Sequence, residues 1–140
     1  MLSSTPPNES PSRRLFEGLT PLLAVMGGGL VGSAARAGLA EIVPAAPGSF
    51  PGATLMANLA GSFLLGLYLA RRERTVTGPE SLRFWAIGVL GSFTTFSAFS
   101  LEVIQLLEVG RVLLAGGYMA ASVVGGLTLA LLGQRIGSMR

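Results

Sequence analysis

Long stretches without charge alternate with short polar connections, and this pattern predicts four membrane-spanning helices. The uncharged stretches are residues 18–35, 42–70, 84–101 and 112–134. A helix of about 20 mostly apolar residues is long enough to cross the hydrocarbon core of a bilayer. The predicted helices cover approximately residues 20–40, 51–71, 82–108 and 111–136. The fold class that we expect is therefore all-α and integral to the membrane.

The segments outside these helices carry residues that interrupt regular structure. Prolines lie between the first two helices and again between the second and third, and Gly110 marks a tight turn before the fourth. Residues 1–17 are rich in Ser and Pro, a composition typical of disordered chain. We therefore expect a disordered N-terminal tail over residues 1–17 and a four-helix membrane domain over residues 18–140.

The arginines are concentrated on one side of the predicted helices. Four spans put both termini on the same side, and that side carries eight of the ten arginines: Arg13, Arg14, Arg71, Arg72, Arg74, Arg83, Arg135 and Arg140. The other side carries Arg36 and Arg111. Because cytoplasmic loops are enriched in arginine and lysine, both termini are predicted to be cytoplasmic. The chain is expected in the cell membrane, or in the inner membrane of a host that has two.

The composition supports this class and excludes several kinds of chemistry. Only 12% of the residues are charged and the mean hydropathy is +0.62, against ~25% charged residues in an ordinary soluble domain. The chain has no Cys, His, Lys or Asp. Disulfides, Cys or His metal sites, Ser-His-Asp catalysis and lysine Schiff bases are therefore excluded. We expect that the protein is not an enzyme, and its few scattered charges do not indicate nucleic-acid binding.

The most informative segment is residues 91–100, GSFTTFSAFS, which carries five hydroxyl side chains near the middle of the third predicted helix. Hydroxyls in such a position usually bond the carbonyl one turn earlier, so an unbroken helix with a polar face is one interpretation. The cluster also indicates a helix broken near the membrane midplane, with Gly91 and Thr94 flanking the break. A break frees carbonyls that a bound cation can satisfy.

Other polar and aromatic side chains inside the predicted helices are candidates for an ion pathway. Asn58, Tyr118 and Ser122 either join helices or donate hydrogen bonds to a permeating ion. Phe96 and Phe99 lie on one helix face, where they either pack against neighbours or present positive ring edges to an anion. Their spacing alone does not decide between these roles.

Two charged residues lie close to the predicted spans. Glu102 is the most internal carboxylate, which makes it a functional candidate in a membrane protein. Arg36 lies near the end of the first helix, where its side chain could extend to the membrane surface. No acid or base stands at the midplane, which argues against a proton relay and against a pump.

Three stretches together resemble the Fluc/CrcB family of fluoride channels: GGLVGSAAR at residues 28–36, GATLMANLAGSF at residues 52–63, and GVLGSFTTFS at residues 88–97. The resemblance runs from about residue 24 to residue 137 and includes all four helices. It implies four-helix subunits that assemble as antiparallel, dual-topology dimers and passively export fluoride. It also implies a structural Na⁺, not transported, at the dimer centre.

The resemblance assigns roles to individual residues. Gly91 and Thr94 would bind the structural Na⁺ through their backbone carbonyls. The residues that would line the fluoride path are Asn58, Phe96, Phe99, Ser97, Tyr118 and Ser122. Arg36 and Glu102 match positions near the pore ends. Ala98 stands where family members often carry Thr, so one hydroxyl of the path is missing. The expected partners are fluoride, the lipid bilayer and a second subunit.

Three alternatives remain open from the sequence. The arginine bias does not fit easily with insertion in both orientations, so the chain could be one half of a heterodimer with an oppositely inserted homologue. A small four-helix multidrug or cation exporter normally needs a membrane-buried carboxylate, and the first helix has none. A protein that only assembles with others would explain the close spacing of small residues but not the cluster at residues 91–100.

Overall fold

The structure of the protein is a computed structural model, and it describes residues 11–139 except 47 and 76, with side chains from Gly18 onward. The described chain is helical. Its elements are α1 (Pro11–Ile42), α2 (Gly52–Arg72), α3 (Pro79–Ser81), a π-helix (Leu82–Leu90), α4 (Gly91–Phe93), α5 (Phe96–Glu108) and α6 (Val112–Ser138).

Four helical segments are long and apolar enough to cross a membrane: Gly18–Ile42, Gly52–Arg72, Pro79–Glu108 and Val112–Ser138. The prediction of an all-α fold with four spans is therefore confirmed, and the chain is a multi-pass membrane protein. The helix α1 begins at Pro11, inside the stretch for which the sequence predicted a disordered tail. Residues 1–10 of that stretch lie outside the described residues.

The helices pack in two main pairs, α1 with the π-helix and α2 with α6. Glycines allow the backbones to approach closely in both pairs, as small residues do in membrane proteins. A Cβ atom at Gly88 would lie 2.8 Å from the Cα atom of Gly28, and a Cβ at Gly32 would overlap the carbonyl oxygen of Val89. In the second pair, a Cβ at Gly133 would overlap the carbonyl oxygen of Phe63.

The third apolar segment changes its backbone conformation twice. It is a π-helix over Leu82–Leu90, a geometry that is rare and often found at functional sites. It then leaves helical geometry at Thr94 (φ −79°, ψ 156°) and Thr95 (φ −150°, ψ 124°) before α5 begins. Thr95 caps α5, because its Oγ1 atom accepts the Ala98 N–H at 3.1 Å.

A tight turn returns the chain from α5 to α6. Gly110 has φ +74°, and the Arg111 N–H donates to the Leu106 carbonyl at 2.8 Å while the Gly110 N–H donates to Leu107 at 3.0 Å. This pattern is a Schellman motif, which favours glycine at the left-handed position. The turn packs Leu106 against Ala115 and Tyr118, and these three side chains form a buried hydrophobic cluster.

Candidate functional site

A cavity of about 350 Å³ lies beside the two extended residues of the third segment. Its wall is formed by α2, the end of the π-helix, the extended residues and α6. Six of the residues singled out from the sequence line it: Asn58, Gly91, Thr94, Phe96, Phe99 and Ser122. Because these residues come from three different spans, the fold brings together side chains that are far apart in sequence.

Asn58 of α2 binds the backbone of the extended segment. Its Nδ2 atom donates to the Thr95 carbonyl at 3.0 Å, and its Oδ1 atom accepts the Thr95 N–H at 2.8 Å. A backbone N–H or carbonyl that lacks a hydrogen bond in a membrane costs several kcal/mol. The Asn58 amide avoids this cost for both the N–H and the carbonyl of Thr95. The second hydrogen of Nδ2 is not used by this pair.

The extended residues also release two carbonyls that a regular helix would satisfy. In an α-helix each carbonyl accepts from the N–H four residues later, so Gly91 would pair with Thr95 and Thr94 with Ala98. The structure gives the Thr95 N–H to Asn58 Oδ1 and the Ala98 N–H to Thr95 Oγ1. The carbonyls of Gly91 and Thr94 thus lose their helical donors at the residues that line the cavity.

A row of aromatic rings leads away from the cavity. Phe96 is 79% exposed, and its ring centroid lies 5.8 Å from that of Phe99. Phe99 is 5.2 Å from Tyr118, and Tyr118 is 5.9 Å from Phe50 in an edge-to-face arrangement. Ring edges carry partial positive charge, so the cavity end of this row can face an anion.

The family profile described as CrcB-like protein, Camphor Resistance (CrcB), matches residues 23–134, which include every residue that lines the cavity. The chain belongs to the CrcB family. Relatives named "Fluoride-specific ion channel FluC" support the assignment. One from Sphingopyxis alaskensis is 46% identical over 112 residues, covering 78% of this chain and 88% of the relative. One from Thermus thermophilus is 45% identical over 117 residues, covering 83% and 93%. One from Deinococcus radiodurans is 47% identical over 114 residues, covering 79% and 90%.

Two other predicted path residues of this CrcB chain do not line the cavity. Tyr118 is fully buried, and its hydroxyl donates to Glu102 Oε2 at 2.7 Å. Ser97 is exposed and shares a hydrogen bond of 3.1 Å with Thr95 Oγ1. The structure therefore places Tyr118 in the packed core and Ser97 beside the cap of α5, whereas Ser122 lies in the cavity wall.

The two predicted pore-end charges are both engaged with other spans. Arg36 lies inside α1, which continues to Ile42, and its Nε atom donates to the Ser92 carbonyl at 3.2 Å. Glu102 Oε1 accepts the Thr54 hydroxyl at 2.6 Å. Glu102 also lines a second cavity of about 200 Å³ under the connection between α1 and α2. Both charges therefore hold the third segment against its neighbours.

Thr54 is a site residue that the sequence reasoning missed. Its hydroxyl holds the carboxylate of Glu102 across the interface between α2 and α5. Thr54 and Asn58 are four residues apart on α2, so they lie on the same helix face. That spacing was the signal that could have identified Thr54 as a partner of the third segment.

Proposed function

We propose that this chain is a subunit of a fluoride-specific channel through which fluoride leaves the cytoplasm passively, which lowers its toxicity. The family membership and the relatives named fluoride-specific ion channels support this function. The four spans provide the membrane setting that a channel requires. The proposed path runs along Asn58, Ser122, Phe96 and Phe99 in the cavity wall.

The main support for this proposal is the chemistry of the cavity wall. Ser122 Oγ is buried in this wall, lies close to Tyr118 and carries an O–H donor. It lies in the same wall as Asn58 and the two phenylalanine rings. Among the described residues, no acidic side chain lines this wall. Hydrogen-bond donors and ring edges without a carboxylate are suited to a small anion.

A narrow path of this kind favours fluoride over chloride for a physical reason. Fluoride is small and strongly hydrated, so a path that conducts it must replace its water shell with donors. Chloride is larger and a weaker hydrogen-bond acceptor, so the same donors compensate the loss of its hydration shell less well. A narrow path also excludes it by size. Ser122 and Asn58 supply the donors on this chain, and the rings of Phe96 and Phe99 supply the edges.

The proposal includes a structural Na⁺ held by the carbonyls of Gly91 and Thr94. Unwound membrane helices bind Na⁺ through such carbonyls, and these two lose their helical donors to Asn58 and Thr95. The described residues contain no group of three or more acidic side chains that could hold a metal instead. A bound Na⁺ would supply a fixed positive charge that offsets the cost of bringing an anion into a low-dielectric region.

Two carbonyls are too few for a complete Na⁺ site, so we propose that a second subunit in antiparallel orientation supplies two more. The exposure of Gly91 and of Phe96 supports this, because the site is open on the side where a partner would pack. A second candidate assembly is a heterodimer with an oppositely inserted homologue. The eight-to-two distribution of arginines favours that assembly, because it indicates one fixed orientation.

Fluoride efflux from liposomes tests the function. The chain alone is reconstituted, fluoride release is followed with a fluoride electrode, and chloride release is the control. Rapid loss of fluoride with chloride retained is expected if the chain pairs with itself. If neither ion is released, the chain is reconstituted together with an oppositely inserted homologue. Absence of fluoride flux in both preparations would refute the proposed function.

A further inference from the structure

One end of the helix bundle carries most of the arginines in the described part of the chain. Tyr68 near the end of α2 hydrogen-bonds Ser81 of α3 at 2.9 Å, and Arg74 donates to the Met139 carbonyl at 3.2 Å. The ends of α2 and α6 and the start of the third segment therefore meet. We call this region the arginine end, and it is defined by Arg71, Arg72, Arg74, Arg83 and Arg135.

The positive charge of the arginine end is poorly compensated. Among the residues whose side chains are described, the only ion pair at this end joins Arg83 to Glu80, and Glu73 is the only other acidic side chain there. The Nε atom of Arg72 is buried without a hydrogen-bond partner, a costly state for a charged group. At the opposite end, by contrast, the charges of Arg36 and Arg111 are matched in number by Glu41 and Glu108.

The surroundings of the arginine end identify the kind of partner. Apolar side chains next to it are exposed, including Leu69 at 41% and Trp85 at 51%. Tryptophan and tyrosine are enriched where membrane helices meet the headgroup region, and Trp85 and Tyr68 fit that position. A partner that covers this region needs a negative group for the guanidinium groups and an apolar part for the adjacent helix surface.

We propose that the arginine end binds the headgroup phosphate of an anionic phospholipid, whose acyl chains lie against Leu69 and Trp85. Guanidinium groups bind phosphate through paired hydrogen bonds. Basic pockets between spanning helices are suited to the headgroups of acidic lipids. The acyl chains of the bilayer already cover the apolar helix surface, so an anionic lipid at this position supplies both the negative group and the apolar part.

Lipid retention by the full chain tests this proposal. The protein is extracted with detergent from vesicles of equal phosphatidylglycerol and phosphatidylcholine, and the lipids that remain bound are counted by mass spectrometry. Phosphatidylglycerol is expected to be enriched, and the triple variant Arg71→Gln, Arg72→Gln, Arg135→Gln is expected to lower this enrichment by at least about tenfold. Size-exclusion chromatography and circular dichroism verify that the variant is folded. If it is not, the double variant Arg71→Gln, Arg135→Gln takes its place, since both of these side chains are exposed.

The matched control is Arg111→Gln, which removes an exposed arginine at the opposite end and is expected to retain the enrichment. High salt should reduce the enrichment in the unchanged chain because the attraction is electrostatic. Equal retention of both lipids, or an equal loss in Arg111→Gln, would overturn the proposal. Release of the phospholipid by inorganic phosphate at constant ionic strength would also overturn it, since the site would then bind phosphate without the lipid.

Discussion

Asn58 and Thr95 form a reciprocal pair in which one side-chain amide satisfies both backbone groups of a residue that has left helical geometry. The Nδ2 atom of Asn58 lies 3.0 Å from the Thr95 carbonyl oxygen, and the Thr95 nitrogen lies 2.8 Å from Asn58 Oδ1. The same residue, Thr95, then caps α5 with its own hydroxyl. The extended conformation is therefore maintained by side chains from two spans, and Asn58 has a structural role in addition to its place in the cavity wall.

Replacing Asn58 with Ala is expected to lower both stability and fluoride flux. The substitution leaves the Thr95 N–H and carbonyl unpaired, at a cost of about 1–3 kcal/mol. Thermal unfolding in detergent and liposome efflux would measure the two effects. Ser62→Ala is the control, because Ser62 lines the same cavity from the same helix but does not bind Thr95. An unchanged unfolding temperature for Asn58→Ala would show that the amide pair contributes nothing.

Phe96→Ile is expected to reduce fluoride flux while the fold remains intact. The ring is 79% exposed, so its removal costs little packing within the chain. Loss of the contact between the anion and the positive ring edge is expected to reduce the flux by up to about tenfold, which corresponds to about 1.4 kcal/mol at the highest barrier of the path. Fluoride efflux from liposomes measures this reduction in flux. Leu113→Ile, at a side chain that is 93% exposed, controls for surface effects, and equal flux in the two variants would exclude Phe96 from the path.

Gly32→Ala is expected to destabilise the packing of α1 against the π-helix. The added methyl group would overlap the Val89 carbonyl oxygen, and overpacking of this kind costs about 1–3 kcal/mol or more. Gly38→Ala on the same helix is the matched control, because nothing lies within 4 Å of its Cβ position. That control should be neutral or stabilising by up to about 1 kcal/mol. Similar unfolding temperatures for the two variants would contradict the close approach.

Replacing Na⁺ with a large organic cation at constant ionic strength is expected to lower the unfolding temperature of the assembled protein. A ligand that binds only the folded state stabilises it by about 2.7 kcal/mol at a concentration 100 times its dissociation constant. Differential scanning fluorimetry in detergent measures the shift, with K⁺ as a second comparison. Identical unfolding temperatures in Na⁺ and in the organic cation would remove the structural role proposed for the carbonyls of Gly91 and Thr94.

The four spans could be predicted because a single physical requirement determines them. A segment that crosses a bilayer must be long, apolar and internally hydrogen-bonded, and the uncharged stretches of this chain meet that requirement without reference to any contact. The helix α1 begins earlier than predicted because charged residues such as Glu17 do not stop a helix outside the membrane. Charge marks the limits of an apolar stretch and not the limits of a helix.

The site could be predicted only in part, because its residues depend on contacts between spans. The cluster at residues 91–100 indicated where the third segment would leave helical geometry, since hydroxyls and glycine are recognisable in sequence. The partner of Thr95 was not recognisable in this way. Asn58 was predicted either to join helices or to donate to the ion, and the structure shows that its amide binds a backbone on another span.

Glu102 forms hydrogen bonds to two other spans, and the sequence alone did not identify these partners. Its two carboxylate oxygens accept hydroxyls from Thr54 of α2 and Tyr118 of α6, so it joins three spans. Glu102→Gln keeps the shape but replaces one accepting oxygen with an NH₂ group. Hydrogen bonds to a charged group contribute more than neutral ones, so we expect a loss of about 1–2 kcal/mol in unfolding free energy.

Thermal unfolding of Glu102→Gln, Tyr118→Phe and the double variant tests whether this contact is structural. If Tyr118 acts through Glu102, the double variant should lose less stability than the sum of the two single losses, since both remove the same bond. Glu108→Gln is the control, because Glu108 is exposed at the end of α5. If Glu102→Gln instead alters fluoride flux while its unfolding temperature matches that of Glu108→Gln, the carboxylate acts on the ion rather than on the packing of the helices.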